Sequence, residues 1–380
     1  MGDKKRIAVI FGGQSSEHEV SRVSAQSVLE NIDRGKYDVE MIGITKDGRW
    51  LSYDGPVNLL GTGEWQAVAE AGIAGRLAAG PSDGSTATAP ADTSARGILK
   101  SAGAEKGGKQ VDVIFPVLHG CNGEDGTIQG LFELAGLPYV GCGVLGSALG
   151  MDKAYAKIIF EKEGIPQGKY LVYTRKQIAG DTDKIAEEVE KELTYPCFVK
   201  PSNAGSSVGV SKAHDRAELV EALNFAARYD RRILVEEFLD AREAECAVLG
   251  NDEPVASTVG EVIPCNEFYD YEAKYKSGDN SEVIIPGRFP EATVQRIRDY
   301  AVKAFKALDL SGLARVDFFV HKDTGEIFIN EVNTLPGFTR ISMYPKLWDA
   351  SGVPYGKLIE KLIDLAVERF EDNKREIDQL

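Results

Sequence analysis

The chain has 380 residues, of which 43% are hydrophobic and 27% are charged. This length and composition are typical of a globular protein with two or three domains. The 59 acidic and 44 basic residues give a net charge of −15, which argues against a nucleic-acid partner. No apolar stretch approaches the roughly 18 residues needed to span a membrane, so no membrane partner is expected either.

The N-terminal segment runs from Lys4-Lys5-Arg6 through a short apolar stretch into Gly12-Gly13. This arrangement predicts a buried strand at residues 6–11 followed by a glycine turn, and it makes a signal peptide an unfavoured interpretation. We expect Ser15 or Ser16 to cap the next helix, with Glu17 in its first turn. The glycine spacing does not match a dinucleotide fingerprint.

Two further apolar segments predict buried strands at residues 38–44 and 111–117. The second strand leads to His119, at a strand's carboxyl end, where open α/β sheets bind their ligands. A structural role for His119 stays equally open. Residues 72–108 are rich in Ala, Gly, Ser and Thr, which predicts a surface excursion or partly disordered loop without catalytic residues.

Strands and helices alternate through the rest of the chain, with no repeat of fixed period. Asp152 is a candidate N-cap for a helix over residues 152–163, and Gly164 is a candidate stop for it. A domain boundary is expected near Cys142, just before this helix. The remaining predicted helices are 183–193, 216–228, 290–308 and 355–371, and the remaining predicted strands are 196–200, 208–212, 232–238, 244–250 and 255–263.

A lysine ends the predicted strand at Phe198-Val199-Lys200-Pro201, and a loop of small residues follows it through Val210. Backbone N–H groups, hydroxyls and an ammonium suit a nucleotide phosphate, although a hairpin turn would favour the same residues. Glu236 and the backbone after it could read an adenine edge, with Glu243 available for ribose hydroxyls. Lys153 is by default a surface lysine.

A long segment between Glu261 and Pro286 mixes tyrosines, including Tyr275, with charged residues and lacks a clean period. Long loops of this kind are often active-site lids, although disordered linkers are common. The aromatic residues favour a lid.

Residues 313–333 form two apolar segments joined by a polar turn around Asp323, Thr324 and Gly325, which predicts a β-hairpin. Side chains alternate along strands, so Arg315, Asp317 and Phe319 should share one face, as should Ile329, Glu331 and Asn333. If the two faces coincide, Asp317, Glu331 and Asn333 form an oxygen-rich cluster of the kind that Mg²⁺ prefers. A solvated polar face is the alternative, but the flanking aromatic residues indicate a buried hairpin whose carboxylates need a partner.

The cysteines are widely spaced and form no Cys-X-X-Cys pair, so they are predicted to be reduced thiols in a cytosolic protein. They are Cys121, Cys142, Cys197, Cys246 and Cys265.

An ordered set of motifs resembles the D-alanine:D-alanine ligases of the ATP-grasp superfamily and covers nearly all of the chain apart from 54–110. The motifs are GGQSSEHEVS at 12–21, HG at 119–120, MDK at 151–153, VKPSNAGSSVGV at 199–210, FYDYEAKY at 268–275, RVDFF at 315–319 and NEVNTLPGFT at 330–339.

The resemblance implies an α/β fold of three domains, with ATP held between two antiparallel sheets. The domains would be an N-terminal parallel α/β domain at 1–141, with the insertion at about 72–108, a central domain at 142–236, and a C-terminal domain at 237–380 with a lid at about 264–286. A homodimer is also implied.

The same resemblance implies roles for individual residues. ATP would contact Lys153, Lys200, Ser207, Glu236, Glu237, Leu239, Glu243 and Lys274. Two Mg²⁺ or Mn²⁺ ions would be held by Asp317, Glu331 and Asn333. The two D-alanines would contact Glu17, His119, Ser342 and Met343, and catalysis would involve Glu17, Ser206, Tyr275, Arg315 and Gly337.

The implied activity is ATP-dependent formation of D-alanyl-D-alanine for peptidoglycan synthesis, through an acyl phosphate. Tyr275 in the sequence EAKY matches the dipeptide-forming pattern. Ligases that use D-lactate or D-serine as acceptor, and other ATP-grasp carboxylate-amine ligases, are the alternatives.

Overall fold

The computed structural model describes residues 4–79, 111–263 and 282–375, and only the backbone of 73–79. The strands in chain order are β1 Lys5–Gly12, β2 Tyr37–Ile44, β3 Trp50–Tyr53, β4 Val113–Val117, β5 Tyr170–Thr174, β6 Cys197–Pro201, β7 Ser211–Ala213, β8 Arg232–Glu237, β9 Ala241–Gly250, β10 Val255–Ile263, β11 Glu282–Ile284, β12 Gly312–His321 and β13 Ile327–Asn333.

The helices in chain order are α1 His18–Asn31, α2 Asn58–Thr62, α3 Trp65–Ala79, α4 Thr127–Ala135, α5 Val144–Met151, α6 Lys153–Lys162, α7 Arg175–Gly180, α8 Thr182–Glu192, α9 Arg216–Ala226, α10 Glu291–Ala307, α11 Met343–Ala350 and α12 Tyr355–Asp372. Within the described ranges, no helix is long and apolar enough to cross a membrane.

The chain divides into two compact units. The first comprises Met1–Gly141, Gly337–Pro345 and Val353–Leu380, and the second comprises Cys142–Pro336 and Lys346–Gly352. Two segments that were expected in the C-terminal domain, Gly337–Pro345 and Val353–Leu380, therefore belong to the same unit as the N-terminal residues. Both antiparallel sheets lie in the second unit. The three-domain boundaries stay a prediction.

The first unit contains a four-stranded sheet in the order β3-β2-β1-β4. Strand β1 pairs in parallel with β2 and β4, whereas β3 pairs antiparallel with β2 at the edge. Continuous burial of Ile7 through Phe11 explains why β1 reads as an apolar run, since a central parallel strand is covered on both faces. The α/β class expected of this region is confirmed.

The second unit contains two antiparallel sheets, of order β5-β8-β6-β7 and β11-β10-β9-β12-β13. Each sheet has its own apolar core. The first core contains Val199 and Val235 beneath helices α8 and α9. The second contains Val316 and Phe305, and so joins β12 to α10. Mixed α/β architecture with two antiparallel sheets agrees with the fold class expected from the resemblance.

Two local expectations were wrong. The helix after the first glycine turn begins at His18, with Glu17 at the N-cap and no side-chain cap, so neither Ser15 nor Ser16 caps it. Ser15 instead accepts a hydrogen bond at 3.0 Å from the Glu17 N–H through its hydroxyl. Helix α3 also continues through Ala79, eight residues into the expected surface excursion. The rest of that excursion, 80–108, lies outside the described residues.

Candidate active site

The hairpin of β12 and β13 presents a polar face built from four side chains. Arg315 pairs with Asn333, and Asp317 pairs with Glu331, in the antiparallel register. The Arg315 guanidinium donates to both Asp317 oxygens at 2.7 Å, and the Asn333 amide donates to Asp317 at 2.9 Å. The predicted coincidence of the two strand faces is therefore present.

One member of that predicted face was wrong. Asp317 pairs with Glu331, but Phe318 pairs with Ile329, so Asn330 is an extra residue that forms a β-bulge. The bulge places Ile329 in the apolar core instead of beside Glu331. The Ile329 N–H donates to the Pro166 carbonyl at 2.8 Å, outside the hairpin ladder.

Arg315 lies between two carboxylates. Besides Asp317, it has Glu245 of β9 at 3.0 Å from its Nε atom, and its side chain is 17% exposed. Burial alone would lower the pKa of Arg315, but Asp317 and Glu245 outweigh it and hold that pKa well above its usual value. Arg315 is therefore a fixed positive charge within an acidic cluster.

The lysines of the second unit meet this cluster. Lys153 Nζ lies 3.3 Å from Glu331 Oε2 and donates to the Ala204 carbonyl at 3.1 Å. Lys200 pairs with Glu236, and its Nζ lies 3.5 Å from Asn330 Oδ1. Lys153 is 9% exposed, so the expectation that it is a surface lysine by default was wrong. The contacts of Lys153 and Lys200 connect the two antiparallel sheets.

Helix α6 fixes the position of Lys153. Asp152 caps the helix by accepting from the Tyr155 N–H at 3.3 Å, and it also accepts from the Ser202 hydroxyl at 2.6 Å. The Lys153 N–H donates to the Ser202 carbonyl at 3.0 Å. Because Ser202 follows β6, the helix start is tied directly to the end of the strand that carries Lys200. The predicted cap at Asp152 is confirmed.

The loop after Lys200 contains Ser206 and Ser207, both with left-handed backbone conformations, at φ of 50° and 58°. Non-glycine residues adopt this region uncommonly, and such residues concentrate at ligand-binding loops. Gly209 also has a positive φ, and a Cβ there would lie 2.7 Å from Pro201 and from the Tyr229 ring. The expected strand at 208–212 is displaced to Ser211–Ala213.

Strand β8 ends with the acidic pair Glu236 and Glu237. Glu236 points toward Lys157 and Lys200, whereas Glu237 Oε1 accepts from the Lys169 N–H at 2.7 Å. Leu239 follows the strand, and its Cδ1 approaches the position of a Cβ on Gly168. Glu243 lies on β9, opposite Phe319 of β12. The two adjacent glutamates therefore have different partners: Glu236 contacts two lysine side chains, and Glu237 accepts from a backbone N–H.

A second group of candidate site residues lies in the first unit. Glu17 is 7% exposed, and a Cβ on Gly120 would lie 2.8 Å from its Oε2 atom. His119 is buried, and its Nε2 lies 3.0 Å from the Ser24 hydroxyl, which also accepts from the Phe338 N–H at 3.3 Å. Glu17 and His119 are therefore both buried, and Glu17 lies next to the Gly120 backbone.

Gly337 and Ser342 bracket a short turn in the same unit. The Ser342 hydroxyl accepts from the Thr339 N–H at 3.0 Å, and a Cβ on Gly337 would lie 2.9 Å from it. Met343 begins α11. Lys274 and Tyr275 lie outside the described residues, as does most of the expected lid, while residues 282–284 form β11.

The hairpin face fits an oxygen-preferring cation. Asp317, Glu331 and Asn333 supply two carboxylates and one amide, and Mg²⁺ completes such sets with water and substrate phosphates. Within the described ranges, no group of three or more His, Cys, Asp and Glu side chains is arranged to hold a metal.

Three contacting residues were missed by sequence reasoning: Lys157, Glu245 and Ser24. Lys157 occurs four residues after Lys153, so a shared helix face could have indicated it. Glu245 and Ser24 reach the site through contacts between segments that are distant in sequence. Glu245 pairs with Asp317 across two strands, and Ser24 contacts His119. No local pattern marks them.

Family models match most of the chain. The D-ala D-ala ligase N-terminus matches residues 6–142, and the D-ala D-ala ligase C-terminus matches residues 159–364.

Proteins similar to this chain are named D-alanine–D-alanine ligases or, in one case, a D-Ala:D-Ser ligase. The D-alanine–D-alanine ligase of Ruminiclostridium cellulolyticum is 68% identical over 98% of each chain, and that of Acetivibrio thermocellus is 64% identical over 100% of each. Among solved structures, the VanG D-Ala:D-Ser ligase of Enterococcus faecalis is 40% identical, with a TM-score of 0.79, over 96% of this chain and 100% of that one. The D-alanine-D-alanine ligase of Coxiella burnetii is 33% identical, with a TM-score of 0.80, over 98% and 96%. The chain therefore belongs to the D-alanine–D-alanine ligase family.

Proposed function

We propose that the chain catalyses the ATP-dependent ligation of two D-alanine molecules to D-alanyl-D-alanine, for the synthesis of peptidoglycan precursors. The observation that carries this proposal is the contact of two unlike groups in one unit. Buried lysines that suit phosphate meet an oxygen-rich cluster that suits a divalent cation, with Lys153 and Glu331 3.3 Å apart. Phosphoryl transfer needs both groups at one place.

ATP would lie between the two antiparallel sheets. Its phosphates would contact Lys153, Lys200 and the hydroxyl-bearing loop around Ser207, with Lys274 joining from the lid. The adenine and ribose would contact the residues at the end of β8 and the start of β9, namely Glu236, Glu237, Leu239 and Glu243. Strand β8 supports this placement because it also carries the partner of Lys200.

Two Mg²⁺ or Mn²⁺ ions would be held by Asp317, Glu331 and Asn333. When bound, these ions neutralise charge on the transferred phosphoryl group. Asn333 donates its amide N–H to Asp317 in the structure, so its amide would have to turn to offer oxygen to a cation. Arg315 donates to both oxygens of Asp317 and so fixes the orientation of that carboxylate.

The first D-alanine would place its ammonium on Glu17, near His119, and the second would contact Ser342 and Met343. A buried carboxylate beside a glycine suits this role, because Gly120 leaves room where a side chain would meet Glu17. All four residues lie in the first unit.

The reaction has two steps. A carboxylate oxygen of the first D-alanine attacks the γ-phosphorus of ATP, so that ADP leaves and an acyl phosphate forms. The amine of the second D-alanine then attacks the acyl carbon, loses a proton, and phosphate leaves. Arg315 and the Gly337 N–H would stabilise the tetrahedral oxyanion, a contribution of roughly 3–4 kcal/mol per donor.

Water must be excluded while the acyl phosphate exists, because hydrolysis would waste ATP. We assign this task to the lid at about 264–286, with Tyr275, Ser206 and Glu17 forming a closing hydrogen-bond network. The enzyme is further proposed to be a cytoplasmic homodimer with three domains.

A second candidate function is ligation of D-alanine to a different acceptor, because the similar VanG enzyme is named a D-Ala:D-Ser ligase. Tyr275 favours D-alanine. Tyr275→Phe is expected to shift the product toward the D-lactate ester, since loss of the hydroxyl loosens control of an amine nucleophile. Product ratios measured with D-alanine and D-lactate together check this. Equal ratios in wild type and variant would contradict the role given to Tyr275.

The activity is tested by measuring ADP release and product mass with D-alanine, L-alanine, D-serine and D-lactate, each alone and in pairs. D-Alanine alone should give ADP and dipeptide in equal amounts. ADP release without dipeptide, or a higher kcat/KM with another acceptor, would overturn the proposal.

A further inference from the structure

Lys157 is a buried lysine that the proposed mechanism leaves without a task. It lies one helical turn after Lys153 on α6, and its side chain is 3% exposed. Its Nζ is 2.7 Å from Glu236 Oε1 and 5.3 Å from the centre of the Tyr170 ring. Burial of an ammonium group costs free energy unless the group is paired with an opposite charge. The burial of Lys157 beside Glu236 therefore suggests a function for this ion pair.

Glu236 divides its two oxygens between two lysines. Oε1 contacts Lys157 and Oε2 contacts Lys200. Burial alone would raise the pKa of Glu236, but the two ammonium groups outweigh burial and hold its pKa at about 2. Strand β8 fixes the backbone of Glu236 between Tyr170 of β5 and Phe198 of β6. The carboxylate is thus ionised and held at both oxygens.

The two lysines differ in what else they can reach. Lys200 is the penultimate residue of β6, before the loop that contains Ser206 and Ser207, and its Nζ also lies 3.5 Å from Asn330 Oδ1. Lys157 is enclosed by its own helix and by the ring of Tyr170. When Lys200 turns to a nucleotide phosphate, Oε2 of Glu236 becomes available as an acceptor. Lys157 is buried, and its Nζ is held at 2.7 Å from the other oxygen of Glu236, Oε1.

We propose that Lys157 is a positioning residue for adenine recognition, which keeps the Glu236 carboxylate in place while its Oε2 accepts from the adenine 6-amino group. This inference rests on the proposed ATP site. Lys157 acts as a buried counter-ion for Glu236. When Lys200 moves to the phosphate, the Glu236 carboxylate is therefore still paired with a positive charge. Removal of Lys157 would make Lys200 the sole ammonium partner of Glu236, in competition with the phosphate.

The test compares ATP with inosine triphosphate, whose 6-oxo group accepts a hydrogen bond and cannot donate one. Dissociation constants are measured calorimetrically with Mg²⁺ and without D-alanine, for wild type, Lys157→Met and Lys157→Arg. Lys162→Met is the matched control, because Lys162 is exposed at the end of the same helix.

Wild type and Lys162→Met should bind ATP more tightly than inosine triphosphate. Lys157→Met should weaken ATP binding by about 10- to 100-fold, as for loss of a residue that orients a ligand group, and bring the two affinities close together. Lys157→Arg should keep the preference for ATP, because it keeps the cation. A purely structural role would weaken both nucleotides equally.

Equal weakening of the two nucleotides in Lys157→Met overturns the inference, as does a wild type that does not discriminate between them. If Lys157→Met does not fold, Lys157→Gln replaces it, and an unchanged ATP preference in that variant is also contrary. These binding measurements need no ligation. Failure to form dipeptide would therefore refute the proposed function separately from the role of Lys157.

Discussion

Asp317 has three donors from two neighbours on the hairpin face. Its two oxygens accept from the Arg315 guanidinium at 2.7 Å, and one also accepts from Asn333 at 2.9 Å. A charge-assisted bidentate pair of this kind fixes the orientation of the carboxylate. A cation at this site would meet a ligand that is already oriented, so the geometry of Asp317 is set before any ion arrives.

Asp317→Asn is expected to raise the Mg²⁺ concentration needed for half-maximal ligation by at least about tenfold, because it removes the charged ligand. Arg315 would keep Glu245 as a partner, so the loss should appear mainly in activity and less in thermal stability. Mg²⁺ titrations of the initial rate check this.

Asp323→Asn, in the exposed hairpin turn, is the control for Asp317→Asn and should behave as wild type. An unchanged Mg²⁺ requirement in Asp317→Asn would remove this residue from the metal site.

The β-bulge at Asn330 decides which side chains of β13 face the proposed metal site. Ile327, Ile329 and Val332 are all buried, a spacing that regular alternation cannot satisfy. One extra residue between Ile329 and Glu331 resolves the conflict. Bulges often lie beside active sites, where they re-aim side chains.

Deletion of Asn330 should leave the fold intact, because the shortened strand alternates regularly and keeps Asp317 opposite Glu331. Activity should fall by at least about tenfold, since the local twist that aims Glu331 is lost along with the Lys200 contact. Thermal melting and initial rates measure the two effects.

Asn330→Ala separates the side chain from the bulge and should lose less activity than the deletion. Unfolding of the deletion variant would instead show that the bulge is needed for stability.

Two helix caps on the second unit look alike in sequence but differ in their surroundings. Asp152 caps α6 and also contacts Ser202 and Arg232, whereas Asp181 caps α8 and accepts from the Lys184 N–H at 3.0 Å. Asp152→Ala should therefore destabilise the protein by more than the ~1 kcal/mol of an ordinary cap and raise the KM for ATP.

Asp181→Ala is the matched variant and should lose about 1 kcal/mol with an unchanged KM. Denaturant unfolding and ATP kinetics on both variants check this pair. Equal KM values would mean that the start of α6 does not set the position of Lys153.

At the scale of the molecule, the chemical reactivity of each cysteine should show whether it lies in an apolar core. The four described cysteines form no disulfide, and Cys142, Cys197 and Cys246 are buried, whereas Cys121 is exposed. Burial raises the pKa of Cys197 to about 11 and that of Cys246 to about 12. A buried thiol with a raised pKa has little reactive thiolate at neutral pH.

Brief alkylation of the native protein at pH 8 should therefore label Cys121 rapidly and leave Cys142, Cys197 and Cys246 unmodified, as read by peptide mass spectrometry. Unfolding in denaturant should make all of them reactive, which is the control. Fast labelling of Cys197 or Cys246 in the native state would contradict the cores described around them.

Strand and helix positions were predicted well where burial imposes a clear period. Strand β1 and helix α12 are examples, since one is covered on both faces and the other buries a regular stripe that includes Leu358 and Leu362. Short elements such as β3 and α5 were missed, because a few residues carry too little periodicity. The bulge was missed because regular alternation was assumed along the whole strand, although the apolar residues Ile327, Ile329 and Val332 do not fit it.

The sequence by itself determined the family resemblance, the fold class and the carboxylate pair of the hairpin, because each depends on residues close together in the chain or on the order of motifs. Only the tertiary structure decided which residues complete the site. Lys153 meets Glu331, and Lys157 shares Glu236 with Lys200, because two sheets and one helix pack together. Pairing between distant segments depends on packing, which local patterns do not encode.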